Sequence, residues 1–294
     1  MSEPSASPHN HPAAGPPLGV VLTGGSRGLG LAMAQRFLAA GDSVVVCARD
    51  PARLEAARGE LAAATGAGER LHVLAADVAD PGEAERLADF AAERLGTIHR
   101  WINNAGTAGR FKRPLTELPT TDIHTTCQTN LAGTLQACAV AVRRMQAQPP
   151  AAEAVYHLFN FGFSAFGARL SRTNIPHRVS KLAVAELSRQ LRHELAEQGE
   201  RRIGVHELRP GLVHTELLHA DLPAAARPII DRLAESPDRV AAVLVPRIRR
   251  VAGSGRVIEY RSKAASLVRG LRAGASAFRR QAPGAGGLRG GRHR

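Results

Sequence analysis

Thr23-Gly24-Gly25-Ser26-Arg27-Gly28-Leu29-Gly30 follows a β-rich run, Gly19 to Leu22, and opens at once into an amphipathic stretch from Leu31 to Ala40. Glycines at a strand-to-helix turn allow tight backbone geometry, and the helix N-terminus turns free N–H groups and the positive end of its dipole toward a pyrophosphate. A lone glycine triplet says little, because many loops are glycine-rich. Placed between a first strand and a first helix, it predicts a dinucleotide-binding turn. No Gly-Lys-Ser/Thr follows, which excludes a nucleotide P-loop.

Outward from this turn, short β-rich runs alternate with longer amphipathic ones. Strands are predicted at Gly19 to Leu22, Ser43 to Cys47, Leu71 to Ala75, Arg100 to Ile102, Val155 to Phe159, Ile203 to Glu207 and Arg256 to Tyr260. Helices are predicted to start near Gly28, Ala52, Gly82, Thr121, Ile175 and Asp238. This order predicts an α/β fold: a single Rossmann-type doubly wound parallel sheet with helices on both faces. The chain has 294 residues, 44% of them hydrophobic, enough for one sizeable core. The expected layout is a disordered tail over 1–17, a domain over 18–262 and a basic, partly helical or disordered tail over 263–294.

The formal charge is +13, but Arg261 to Arg294 alone carry nine Lys or Arg and no Asp or Glu. The body is only mildly basic, and with 4% aromatic residues it lacks the pattern of a specific nucleic-acid face. The basic tail suits a solvated segment or peripheral contact with anionic membranes. No run of about 18 apolar residues exists to span a bilayer, and from the Pro-, Ser- and His-rich stretch Met1 to Pro17, which lacks an apolar run, neither a signal peptide nor a membrane anchor is expected. Cys47, Cys127 and Cys138 form no CxxC pair and read as reduced core thiols of a cytoplasmic protein. His9 and His11 have no second cluster at ligand spacing, so no metal site is expected.

Cofactor choice is read at the end of the second strand, where NAD-binding folds place a carboxylate and a 2′-phosphate calls for a cation. Ala48 stands where the acid is expected, Arg49 follows, and Arg27 sits in the glycine turn. Two cations and no carboxylate favour NADP(H). Asp50, next in the chain, would oppose this if it pointed inward.

Five motifs in order then resemble the short-chain dehydrogenase/reductases: the TGxxxGxG turn at Thr23 to Gly30, Asp77-Val78, Asn103-Asn104-Ala105-Gly106, Asn130, and Pro210-Gly211 with Thr215. The resemblance implies cofactor contacts from Thr23, Gly24, Ser26, Arg27, Gly28, Leu29, Gly30, Arg49, Asp77, Val78, Asn104, Ala105, Gly106, Lys181, Pro210, Gly211 and Thr215. In more detail, Trp101 to Gly106, His157 to Asn160, Pro210 to Leu218 and Leu244 to Ile248 are similar to the chlorophyll b reductases. That branch implies NADPH reduction of a formyl group on a large apolar tetrapyrrole. The wider family implies a homodimer or homotetramer.

Carbonyl reduction needs a hydride and a proton for the developing alkoxide. The family delivers the proton from Tyr in a YxxxK pair; here the stretch reads His177-Arg178-Val179-Ser180-Lys181. Lys181 keeps its place on the helix face shared with position 177. An imidazolium with an ordinary pKa of about 6.5 is a competent acid, and Lys181 should depress that value. The expectation is activity that rises toward mildly acidic pH. The family's serine falls on Ser164 when counted back from His177, and on Phe163 when aligned on Asn160. Asn130 is implied to hold a relay water. Leu212 to Leu218 and Asp221 to Pro228 read as a lid. Two functions stay open: an NADPH-dependent reductase of a carbonyl on a bulky apolar substrate, and an NADP(H)-binding sensor, scaffold or subunit partner that has lost catalysis with its tyrosine.

Overall fold

The computed structural model describes residues 15–163, 173–219 and 231–260. Seven strands form one sheet in the order β3-β2-β1-β4-β5-β6-β7, and every neighbouring pair is parallel. They are β1 (Gly19–Thr23), β2 (Ser43–Ala48), β3 (Leu71–Ala75), β4 (Arg100–Asn103), β5 (Tyr156–Phe161), β6 (Ile203–Arg209) and β7 (Val257–Glu259). A parallel sheet covered on both faces needs apolar side chains at successive positions, and β1, GVVLT, is buried throughout. Strand order reverses between β1 and β4, so their carboxyl ends open a crevice at the switch point.

The helices are α1 (Gly28–Ala39), α2 (Pro51–Thr65), α3 (Glu83–Leu95), α4 (Thr120–Cys127), α5 (Gly133–Gln146), α6 (Ile175–Glu197), α7 (Glu216–His219) and α8 (Pro237–Arg249). Val20, Leu22, Val44 and Val46 face one core with Met33, Phe37, Leu54 and Leu244, from α1, α2 and α8. Val21, Val45, Trp101 and Leu158 face the other with Leu87, Ala141 and Leu195, from α3, α5 and α6. At the far end of the sheet, buried Arg100 donates to the carbonyls of Ile248 and Arg249, closing the C-terminus of α8.

The doubly wound sheet is as the alternation predicts, and each strand lies within two residues of its expected bounds. The expected helix near Thr121 is instead α4, a π-helical turn (Gln128–Ala132) and α5. One inserted residue in a continuous run leaves the apolar periodicity nearly intact, so the pattern hides it. Cys47 and Cys138 are buried thiols, whereas Cys127 is only half-buried. The expected lid run from Asp221 to Pro228, the basic tail and residues 1–14 lie outside the described residues, as does Ser164.

Candidate active site

The glycine turn is held by β4. Thr23 Oγ1 accepts from the N–H groups of Asn104 (3.1 Å) and Ala105 (3.0 Å), while Asn104 Nδ2 donates to the carbonyls of Thr23 (3.0 Å) and Gly24 (2.9 Å). Thr23 and Asn104 thus spend these polar atoms on each other, shaping the cleft. Gly24 has φ +68°, and a Cβ there would come within 2.7 Å of Ala105 Cα, so neither conformation nor space admits a side chain. Arg27 is the N-cap residue of α1; no side chain caps this end and no acid lies in the first turn. Free N–H groups at the switch point therefore face the crevice.

Beyond β2, Arg49 is exposed. Asp50 does not point into the cleft: its side chain caps α2, accepting from Arg53 N at 3.1 Å. Asp77 Oδ1 accepts from Ala79 N, and Val78 is buried with its carbonyl against Gly133. Gly211 sits at φ +76° after β6, and Val213 bridges to Glu235, which sets the start of the strap leading to Thr215.

The chemistry gathers on the first turns of α6. Asn174 caps this helix, accepting from His177 N at 3.0 Å and donating through Nδ2 to Phe111 O at 3.1 Å. His177 is 5% exposed, its Nδ1 lies 2.9 Å from Thr173 Oγ1, and Phe163 meets the ring edge-on. Burial above all, then the charges of Lys181 and Lys112, push its pKa down to about 3. One turn on, Lys181 is 9% exposed, and burial lowers its pKa to about 8. Its ammonium has no hydrogen-bond or ion-pair partner among the described residues; a Cβ on Gly106 would lie 3.4 Å from Nζ and 3.1 Å from Asn130 Oδ1. Asn130, fully buried in the π turn, accepts from Thr107 N and donates to Thr107 O (both 2.8 Å) and to Ser180 Oγ (3.1 Å). π turns of this kind concentrate at functional sites.

The fold thus brings together His177, Lys181, Asn130, Gly106 and the glycine turn at one end of the sheet. Sequence reading missed Thr173, Asn174, Lys112 and Arg53. Asn174-Ile175-Pro176 is a helix-start signal that could have revealed the cap; Lys112 and Arg53 reach the site only through tertiary structure. The expected imidazolium at His177 is opposed by its surroundings: burial first, then the charges of Lys181 and Lys112, lower the pKa to about 3 and favour the neutral ring near pH 7. An uncapped helix N-terminus without acids, and a buried ammonium lacking a counter-charge, fit the pyrophosphate and ribose of a dinucleotide. Among the described residues no group of three or more His, Cys, Asp or Glu is arranged to hold a metal, and no helix is long and apolar enough to cross a membrane.

The sequence pattern of the family described as short chain dehydrogenase matches residues 19–225. The chloroplastic chlorophyll(ide) b reductase NOL of rice, Oryza sativa subsp. japonica, is 33% identical over 237 residues, 80% of this chain and 68% of that protein. The probable chloroplastic chlorophyll(ide) b reductase NYC1 of rice is 34% identical over 258 residues, covering 83% of this chain but only 50% of that protein. Among solved structures, a short chain dehydrogenase from Burkholderia cenocepacia J2315 in complex with NADP superposes with a TM-score of 0.67 at 27% identity, over 83% of this chain and 96% of the other.

Proposed function

This chain belongs to the short chain dehydrogenase family, and from that premise we propose that it is an NADPH-dependent reductase of a formyl or keto group on a bulky apolar molecule, of which the 7-formyl group of a chlorophyll b-type tetrapyrrole is the foremost example. The observation that carries the reading is Lys181, a buried ammonium without a counter-charge, one helical turn from His177 and beside Gly106. Holding an unpaired charge at such a place is costly unless a ligand completes it. Relatives named as chlorophyll(ide) b reductases support the substrate class. Arg27 and Arg49, with Asp50 turned away as a cap, support NADP(H) over NAD(H).

When bound, the nicotinamide supplies the hydride. The glycine turn and the N-terminus of α1 bind the pyrophosphate. Lys181 holds the ribose hydroxyls. With neutral His177 in the tautomer whose Nδ1 accepts from Thr173 Oγ1, Nε2–H is the donor left to hydrogen-bond the substrate carbonyl oxygen. Its replacement of the family tyrosine leaves the site a donor but removes the phenol. Of the two groups, Lys181 is the one whose pKa, about 8, lets it hold a proton at neutral pH and release it to the developing alkoxide, directly or through His177. Asn130 fixes the Thr107 loop beside this path.

The test is NADPH oxidation with chlorophyllide b by the wild type, His177→Ala and Lys181→Met. Turnover in the wild type that falls by about 100-fold or more in Lys181→Met, and by at least about tenfold in His177→Ala, is expected. Wild-type turnover that survives Lys181→Met would overturn the assignment of the site; binding of NADPH without turnover of any aldehyde would favour the non-catalytic reading.

A further inference from the structure

Three separate elements converge on one carboxylate at the cofactor end of the cleft. Glu216, the first residue of α7, accepts from Arg27 at the start of α1 and from Arg53 Nη1 in the first turn of α2, at 3.3 Å. The strap that carries Glu216 also rests on the glycine turn, since a Cβ on Gly28 would lie 3.0 Å from Thr215 Cγ2. At its other end Leu218 O accepts from Lys112 Nζ at 2.8 Å, and Lys112 is one of the charges felt by His177. The strap therefore runs from the two arginines to the mouth of the reaction site.

We propose that Glu216 closes, from within the chain, the cation site that Arg27 and Arg49 offer the 2′-phosphate of NADP(H), that Arg53 is a third cation of this site, and that phosphate binding exchanges with the Glu216 carboxylate and releases the strap. The proposal rests on the reading of this chain as an NADP(H)-binding protein. Asp50 is taken up as the cap of α2 and lies 3.6 Å from Arg53 Nε, too long for a strong bond, so Glu216 is the principal internal competitor. A phosphomonoester brings about −1.5 to −2 charge and three acceptor oxygens, and guanidinium forks match it well. Glu216 brings one charge. Arg27, Arg53 and Glu216 side chains are 49%, 54% and 64% exposed, and ion pairs so wet contribute little. The carboxylate is thus held strongly enough to compete and weakly enough to be displaced. A cofactor lacking the 2′-phosphate leaves the carboxylate where it is, which makes Glu216 and Arg53 determinants of cofactor preference.

The experiment is titration calorimetry with adenosine 2′,5′-bisphosphate and with 5′-AMP on the wild type, Glu216→Gln, Arg53→Ala and the double variant. Glu216→Gln is expected to tighten bisphosphate binding roughly threefold to tenfold and to leave 5′-AMP within about twofold. Arg53→Ala is expected to weaken the bisphosphate about tenfold, and Glu216→Gln to gain clearly less in that background. Amide exchange over 213–218 should speed up when the bisphosphate binds the wild type, and in Glu216→Gln without ligand. A wild type that prefers the bisphosphate while Glu216→Gln binds it equally or more weakly would overturn this inference alone. A wild type that does not distinguish the two nucleotides would overturn the NADP(H) reading and this inference with it.

Discussion

At position 177 the physical setting decides more than the residue type. An exposed histidine would titrate in mild acid and would make the site acid-activated, as its ordinary pKa suggests. Within α6 the ring is buried, packed by Phe163 and faced by Lys181 and Lys112, and its pKa falls to about 3. The group that changes charge near neutrality is Lys181 at about 8. Because this ammonium is lost as pH rises through its pKa, kcat/KM for NADPH is expected to be level from about pH 5.5 to 7 and to fall above about pH 8. A profile that instead climbs steadily toward pH 5.5 would return the proton to an imidazolium at His177. Neither pKa was legible from the YxxxK-like spacing, because burial is a property of the packed chain.

Elements carry the next level of control. His177 and Lys181 are placed by where α6 starts, and that start is set by Asn174, which caps the helix and ties it to Phe111 O. Asn174→Ala is expected to cost about 1 kcal/mol from the cap, somewhat more with the Phe111 tie, read by chemical denaturation. Asn174→Asp should recover most of the cap but not the tie. Equal stability of all three chains would show that Pro176 and packing alone start the helix. The π turn is a second such device: it turns Asn130 inward, where its amide bridges Thr107 and Ser180. Its sequence reads as ordinary helix, since inserting one residue scarcely disturbs a 3.6-residue period.

Across the whole molecule, buried histidines link stability to pH. His206 Nδ1 accepts from Arg256 N, which leaves its Nε2–H to donate to His157 Nδ1 at 2.9 Å. Burial is the main cause that lowers His157 to about 3 and His206 to about 4, as it lowers His177. Their folded pKa values lie below the unfolded value of about 6.5. Between those limits the unfolded chain binds more protons, so stability is complete above about pH 6.5 and is lost as pH falls toward 4. Urea denaturation at pH 7.5 and pH 5 should show a loss on the order of 1 kcal/mol or more; equal values would mean that these rings are accessible in the folded chain. In the sequence, these two histidines differ from the exposed ones only in lying within the β-rich runs of β5 and β6.

By itself, the sequence determined the doubly wound sheet, the position of the cofactor turn and the family, because alternating strand and helix patterns and glycine placement are local properties. It also brought Lys181 and position 177 onto one helical face. Tertiary structure alone decided how far burial shifts the pKa of those groups, that the Asp50 side chain caps α2, and that Arg27, Arg53 and Glu216 meet. Desolvation and long-range ion pairing depend on what the rest of the chain packs around a residue, and the arginines' carboxylate lies 189 and 163 positions away along the chain.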